Sequence, residues 1–296
     1  MENIHVPVML KEVIEFLKPQ PGQKIIDCTL GGGGYTVELS KLVGDKGLVV
    51  GVDLDEVAIK NFQVRIETEN IKNVVLINHS FRYLQDEIKT QGWSDNSFDG
   101  IVMDLGLSSN QLSDETRGFS FKGEAPLEMA FGQNSPRSTL DILSSYSALD
   151  LEKIFREYGE ERFSRPIAQN IVAYRRHEKI TTTKQLVDII LNSIPNRFRY
   201  SKIHPATRVF QALRIETNDE LRSLEEFLPQ AVSLLRPGGR LVVVSFHSLE
   251  DRIVKRFFRD NAELKVITKR IVIPTIEESS ANPRSRSAKL RVAEKI

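Results

Sequence analysis

The chain has one cysteine, Cys28, in 296 residues. That excludes an internal disulfide framework and a multi-cysteine zinc site, and it fits a reducing compartment, so a cytoplasmic location is expected. Net charge is equally scarce. Lys and Arg number 41 and Asp and Glu 40, which leaves +1 at pH 7. The global charge therefore does not announce a nucleic-acid partner, and any basic surface has to be local. No apolar run approaches the roughly 18–20 residues that span a bilayer, so no membrane partner is expected. The opening residues Met1-Glu2-Asn3-Ile4-His5 show no basic stretch leading into an apolar one, and no secretory signal is expected. Internal repeats and low-complexity tracts are missing too. What is present is 40% hydrophobic content, enough for one large domain or two modest ones.

The first third alternates β-branched runs with amphipathic stretches. Lys24–Leu30, Leu48–Asp53, Val74–Ile77 and Phe98–Leu105 read as buried strands, with helical patterns between them at Tyr35–Lys41 and Glu56–Glu69. Strands alternating with helices imply βαβ units and a parallel, doubly wound α/β sheet. From Leu112 to Thr207 the β-branched runs vanish. Helical segments replace them at Ala148–Tyr158, Arg165–His177 and Thr183–Asn192. Strand character returns at Arg240–Phe246, after a Leu235-Arg236-Pro237-Gly238-Gly239 segment suited to a tight turn. The runs Leu264–Ile273 and Lys289–Ala293 suggest an antiparallel hairpin at a sheet edge. The expected organisation is a discontinuous α/β domain, residues 1–111 and 208–296, interrupted by a helical insertion over 112–207.

Asp27-Cys28-Thr29-Leu30-Gly31-Gly32-Gly33-Gly34-Tyr35 joins a predicted strand to a predicted helix. Glycines let the backbone approach a ligand and adopt positive φ. Asp53 ends the next strand, 20 residues beyond Gly33, the spacing at which dinucleotide folds place an acid on ribose hydroxyls. An adenosine-containing cofactor fits this arrangement, with NAD and S-adenosylmethionine both open. Asp27, at the end of the first strand, favours a ligand with a cationic end over an anionic pyrophosphate.

Asp104 leaves the fourth strand at its carboxyl end, where open α/β sheets bind ligands. Its carboxylate could orient a substrate amine or cap the loop that follows. His247, after the fifth strand, could bind a base or phosphate or belong to a helix-capping segment, with Ser248 followed by Glu250 and Asp251 suiting the cap. His204 precedes Pro205, and both a turn and a functional role stay open. Cys28 reads as core. Basic residues cluster locally: Arg162, Arg165, Arg175 and Arg176; Arg197, Arg199, Lys202 and Arg208 around Phe198 and Tyr200; Lys255, Arg256 and Arg259; and Arg284, Arg286, Lys289 and Arg291. Such clusters suit phosphates, and interleaved aromatics suit unpaired bases.

Several blocks taken together resemble the bacterial 16S ribosomal RNA (cytosine-N4)-methyltransferase family, the MraW-type enzymes. They are His5–Leu10, Asp27–Tyr35, Asp104–Leu112, Arg117-Gly118-Phe119-Ser120-Phe121, Tyr158–Phe163, His204–Ile215, Ser245–Arg252 and Asn282–Ser287. The resemblance spans essentially the whole chain. It implies a Rossmann-like class I methyltransferase sheet with an antiparallel strand, S-adenosylmethionine as cofactor, and a helical insertion that helps bind RNA. It also implies a cofactor site: Gly33, Gly34 and Tyr35 at the methionine and sulfonium end, Asp53 on the ribose, Phe81 on the adenine, and Asp104 and Gln111 completing the pocket. The implied target is N4 of a cytidine in the decoding centre of 16S rRNA, within the small ribosomal subunit. A homodimer is left open. Two departures stand out. The family has Gly-Gly-His where this chain has Gly33-Gly34-Tyr35. It has Pro-Leu-Asp-Met-Arg-Met-Asp where this chain has Pro126-Leu127-Glu128-Met129-Ala130-Phe131-Gly132.

The N4 lone pair of cytosine is delocalised into the ring, so in-line positioning against a sulfonium is the main catalytic task. No metal or covalent intermediate is required. Many amino-methyltransferases carry an Asp/Asn-Pro-Pro-aromatic element after the fourth strand, and this chain has Asp104-Leu105-Gly106-Leu107 instead. Phe119, Phe121 or Phe246 must then hold the base. Two other readings stay open: a diverged cofactor-binding paralogue acting in ribosome assembly, and a methyltransferase for another substrate.

Overall fold

A computed structural model of the chain describes residues 7–108, 111–112, 114, 116–121, 123–132, 135–200 and 203–296. Met1–Val6, Ser109, Asn110 and Lys202, named above, lie outside the described residues. The chain divides into two compact units, Met1–Ser109 with Leu221–Ile296, and Asn110–Glu220.

The first unit is built on a seven-stranded sheet of order β3-β2-β1-β4-β5-β7-β6. Its strands are β1 (Lys24–Asp27), β2 (Leu48–Asp53), β3 (Val74–Asn78), β4 (Phe98–Asp104), β5 (Leu235–Ser245), β6 (Leu264–Val266) and β7 (Lys289–Lys295). Strands β1 to β5 run parallel, and β7 lies antiparallel between β5 and β6. The apolar runs look continuous in sequence because both faces are covered, as parallel sheets require. Successive residues still go to opposite faces. Ile26, Val50, Val52, Ile101, Met103, Leu241 and Val243 join one core with Leu84 and Ile88, with Phe227 and Leu228, and with Val254 and Phe258. Ile25, Val49, Val102, Val242 and Val244 join the other with Val13 and Leu17 and with Leu39 and Val43. Each such side chain contributes roughly 1.5–3 kcal/mol when fully buried.

The sequence reading needs two adjustments here. The Leu235–Gly239 segment is not a turn ahead of the strand but an excursion within it. Leu235 pairs with Phe98 and Arg240 with Gly100, so Arg236–Gly239 bulge out of the ladder, and Gly238 turns the chain with a φ of 80°. The Leu264–Ile273 run is also not one strand. Ile267 and Thr268 both donate to the carbonyl of Val292, which breaks the ladder. A single bridge from Val272 to Leu290 follows.

The second unit contains the helices Thr139–Ser145, Ala148–Glu157, Ser164–Tyr174, Thr183–Ser193 and Ala206–Asn218. It runs beyond the expected end at Thr207. The Ala206–Asn218 helix buries Val209, Phe210, Ala212, Leu213 and Ile215, a wide apolar stripe that packs on the other helices of the unit. Capping is explicit at two starts: Ser147 with Asp150, and Thr182 with Gln185, satisfy orphan amides reciprocally.

The Pro126–Gly132 segment is tied down through its backbone. Asn218 Nδ2 donates to the Met129 carbonyl at 2.7 Å, and its Oδ1 accepts from Phe131 N at 2.8 Å. Arg117 Nη2 donates to the Ala130 and Phe131 carbonyls, and Thr139 Oγ1 to that of Glu128. None of these bonds uses a side chain from Glu128–Gly132, so the path does not depend on the residues that depart from the family pattern. Gly118 turns the entry to this region at φ 70°, and a Cβ there would overlap the Pro126 carbonyl oxygen. Gly118→Ala is expected to destabilise the helical unit by about 1–3 kcal/mol or more, read as a lower unfolding midpoint in urea. An unchanged midpoint contradicts this packing.

Candidate cofactor site

Strand order reverses between β1 and β4, and the carboxyl ends of these two strands form the switch point at which open α/β sheets bind ligands. Asp27, Asp53 and Asp104 are the last residues of β1, β2 and β4. Asp27 is buried and Asp53 and Asp104 are half-buried, and desolvation is the largest cause of their raised pKa values. Asp27 and Asp53 are each pushed up to about 6. Asp104 is raised well above the usual carboxylate value, with the charges of Asp27 and Glu250 adding to desolvation.

The three acids have different partners. Asp27 receives the Thr36 hydroxyl at 2.7 Å and the Thr29 amide at 3.2 Å, so it pins both ends of the glycine loop. Asp53 receives the Gly31 amide on Oδ2 and the Asp55 amide on Oδ1, both at 2.8 Å. Asn78, at the end of β3, holds the carbonyls of Asp53 and Leu54. Asp104 is anchored through its backbone, whose amide donates to Thr29 Oγ1 at 2.7 Å. Its Oδ1 is buried and has no hydrogen-bond partner. That oxygen does not cap the loop that follows.

Gly33 is the residue before the helix Gly34–Val43 and sits at φ 73°. A Cβ at this position would overlap the Phe62 ring, so glycine is required by both conformation and space. The helix start has no side-chain cap, which leaves its first amides to other acceptors. Tyr35 is buried in the core that contains Val8, Met9 and Leu39, and its hydroxyl donates to the Val8 carbonyl. The hydroxyl pKa is raised by burial first and then by the charges of Asp104 and Asp27. Phe81 opens a short turn after β3 and packs edge-on against Phe227, with ring centres 5.4 Å apart.

His247 is the N-cap of the helix Ser248–Asp260, a role the sequence reading gave to Ser248. Its Nδ1 accepts from the Glu250 amide at 3.3 Å, while Glu250 Oε2 accepts from the amides of Phe246 and His247. With Nδ1 accepting, the ring proton sits on Nε2, 3.1 Å from Glu250 Oε1 but without hydrogen-bond alignment. Gln111 falls in the helical unit and is buried there. Phe119 and Phe121 also belong to that unit, whereas Phe246 stands beside Gly106 in the first.

Sequence reasoning missed Thr29 and Thr36. Their signal was a threonine on either side of a glycine run that follows an acid. The basic clusters fare unevenly. Arg291 is buried and bridges Asp251 at 2.7 Å, Lys289 approaches the same carboxylate, and Arg259 pairs with Asp260. Arg175 donates to the Leu143 carbonyl.

S-adenosylmethionine is an adenosine bearing a sulfonium and an ammonium. Buried carboxylates held at raised pKa, one with an orphaned oxygen, fit a ligand that brings positive charge and hydroxyl donors.

Among solved structures, a Clostridium thermocellum chain described provisionally as an rRNA methylase aligns at 15% identity and TM-score 0.49, covering 99% of this chain and 100% of that one. A Streptococcus mutans protein, described provisionally as a methyltransferase and solved in complex with SAH, aligns at 14% and 0.48, covering 99% and 100%. A SAM-dependent methyltransferase from Aquifex aeolicus aligns at 13% and 0.45, covering 98% and 90%. Similarity at this level says nothing of substrate. The sequence match is decisive: the model of the MraW methylase family covers residues 2–296. This chain therefore belongs to the MraW methylase family, the S-adenosylmethionine-dependent methyltransferases of ribosomal RNA.

Proposed function

We propose that this chain methylates N4 of a cytidine in the decoding centre of 16S rRNA, in the cytoplasm and within the small ribosomal subunit. The observation that carries the reading is the buried, unpartnered Oδ1 of Asp104 at the switch point. An isolated acceptor there is suited to an amine N–H. Bound S-adenosylmethionine supplies an electrophilic methyl group on its sulfonium. Asp104 accepts a hydrogen bond from the target amine, which aims the nitrogen lone pair. As the amine becomes cationic on attack, the carboxylate stabilises it and takes its proton, a step for which a raised pKa is favourable.

The other assignments are those the family resemblance implies. Asp53 already organises Gly31 and Asp55 and accepts from the ribose hydroxyls. The backbone of Gly33 and Gly34 lines the methionine end. Tyr35 contributes packing there, since its hydroxyl is committed to Val8. Phe81 offers a face to the adenine. His247 holds the rim of β5 as a cap and presents Nε2–H to the base or a phosphate. A paired cytidine cannot present N4, so the base is unpaired or extruded at a cost of a few kcal/mol. Phe246, beside Gly106 after β4, holds it in this reading.

Methyl transfer from labelled cofactor to small subunits lacking the modification, followed by nucleoside mass spectrometry, is expected to yield N4-methylcytidine. Label in another nucleoside, or no label with cofactor binding intact, overturns the reading in favour of another substrate or an assembly role. Asp53→Ala is expected to weaken cofactor binding by about 1.5–3 kcal/mol, and unchanged affinity by calorimetry would reject its ribose role. Asp104→Asn is expected to lower kcat by about 10²-fold or more while RNA affinity stays within a few-fold. Equal losses in both would mark it as structural.

A further inference from the structure

Glu250 is the third residue of the helix Ser248–Asp260 and is 3% exposed. Its contacts tie it to the chain that leaves β5. Oε2 accepts from the amides of Phe246 at 2.8 Å and His247 at 3.1 Å. The Glu250 amide donates to His247 Nδ1 at 3.3 Å, and Oε1 lies 3.1 Å from His247 Nε2. A capping box asks only for the bond to the N-cap amide. The bond to Phe246, one residue earlier, is additional.

The segment that Glu250 holds lies against the end of β4. Asp104 is in register with Val244, and the Leu105 amide donates to the Val244 carbonyl at 2.9 Å. Gly106 then turns the chain at φ 99°, and a Cβ there would stand 3.5 Å from the Phe246 ring. Glu250 thus fixes the main chain of a ring that borders the second residue after Asp104.

The residue type goes beyond what a cap requires. A glutamine at this position would accept the same amides and complete the same box. A carboxylate taken out of water costs more than an amide. Its charge acts on a neighbouring acid: Glu250 raises the Asp104 pKa, after desolvation and Asp27. Tyr35 also couples to Asp104, but its own pKa is raised above the usual phenol value, so it is neutral at working pH. His247, also titratable, has Nδ1 committed to the Glu250 amide. Asp27 is held by Thr29 and Thr36 in the glycine loop, which leaves Glu250 as the charge on the β5 side.

We propose that Glu250 is a positioning residue of the methyl transfer: its carboxylate holds Phe246 and His247 against the end of β4 and so sets where the target base meets Asp104. The charge has a second effect. It keeps Asp104 a stronger base for the proton that the amine gives up. The inference rests on the reading that Asp104 receives the target amine, and Glu250 acts through Phe246, His247 and Asp104 rather than on the substrate.

The test compares Glu250→Gln with Glu250→Ala in methyl transfer to small subunits lacking the modification. Single-turnover conditions isolate the chemical step, and the rate constant, the half-saturating subunit concentration and the pH profile are read for each. Glu250→Gln keeps the acceptor and loses the charge. Its half-saturation is expected to stay within a few-fold of wild type. Its rate constant is expected to fall, and the acid limb of its profile to move to lower pH, because removing a like charge lowers the Asp104 pKa. Glu250→Ala loses acceptor and charge. Its rate constant is expected to fall by about 10²-fold, the cost of a misplacement of about 1 Å, with half-saturation raised. A helix cap alone predicts that glutamine restores the full rate and leaves the acid limb where it was, and that result overturns the proposal. If Glu250→Ala does not fold, the glutamine variant decides by itself. N4-methylcytidine formed with an unmoved limb in Glu250→Gln removes the role of Glu250 alone. Transfer to another nucleoside removes the proposed target, and the same variants are then read on that product. No wild-type transfer to any nucleoside overturns both readings.

Discussion

Three desolvated carboxyl groups at the ends of neighbouring parallel strands are costly, and much of the first unit is organised around that cost. Asp27 is offset by Thr29 and Thr36, and Asp53 by Gly31 and Asp55. The same bonds shape the glycine loop and join it to the turn after β2. Asp104 keeps an acceptor without a donor. For Asp27 and Asp53 the folded pKa of about 6 lies above the unfolded value near 3.8. Their contribution is therefore fully present below pH 4 and lost as pH rises through 6. A cationic ligand reverses the balance, because it favours the ionised carboxylates. Ligand-free instability and cofactor affinity thus have one source.

The sheet was legible because its strands carry β-branched runs with glycine or acid at their ends. The place of Asp53 at the end of β2 was legible from the β-branched run before it. Tyr35 is buried in the core with its hydroxyl on the Val8 backbone carbonyl, a contact 27 residues away that no local pattern encodes. The cap at His247 was misplaced by one residue because serine is the commoner N-cap, whereas an imidazole nitrogen can accept the same amide. Arg291 looked like surface charge, but β7 is an interior strand, and its antiparallel pairing with β5 turns that side chain onto Asp251. Thr29 and Thr36 gained meaning only when the loop closed on Asp27.

The helical unit shows which departures from a family pattern a fold can absorb. The Pro126–Gly132 path is held by Arg117, Thr139 and Asn218 through main-chain atoms, so substituting its side chains leaves its course intact while changing the groups it presents. Glu128 is exposed there, and Leu127 and Met129 are buried.

The most direct measurement is the number of protons released when S-adenosylmethionine binds at pH 6, by calorimetry in buffers of different ionisation enthalpy. Asp27 and Asp53, pushed up to about 6, are then partly protonated, so net proton release is predicted, and Asp53→Asn should release fewer protons than the wild type. Binding with no proton exchange at pH 6 would contradict the account, because the buried carboxylates would then not be the groups that receive the cofactor's charge.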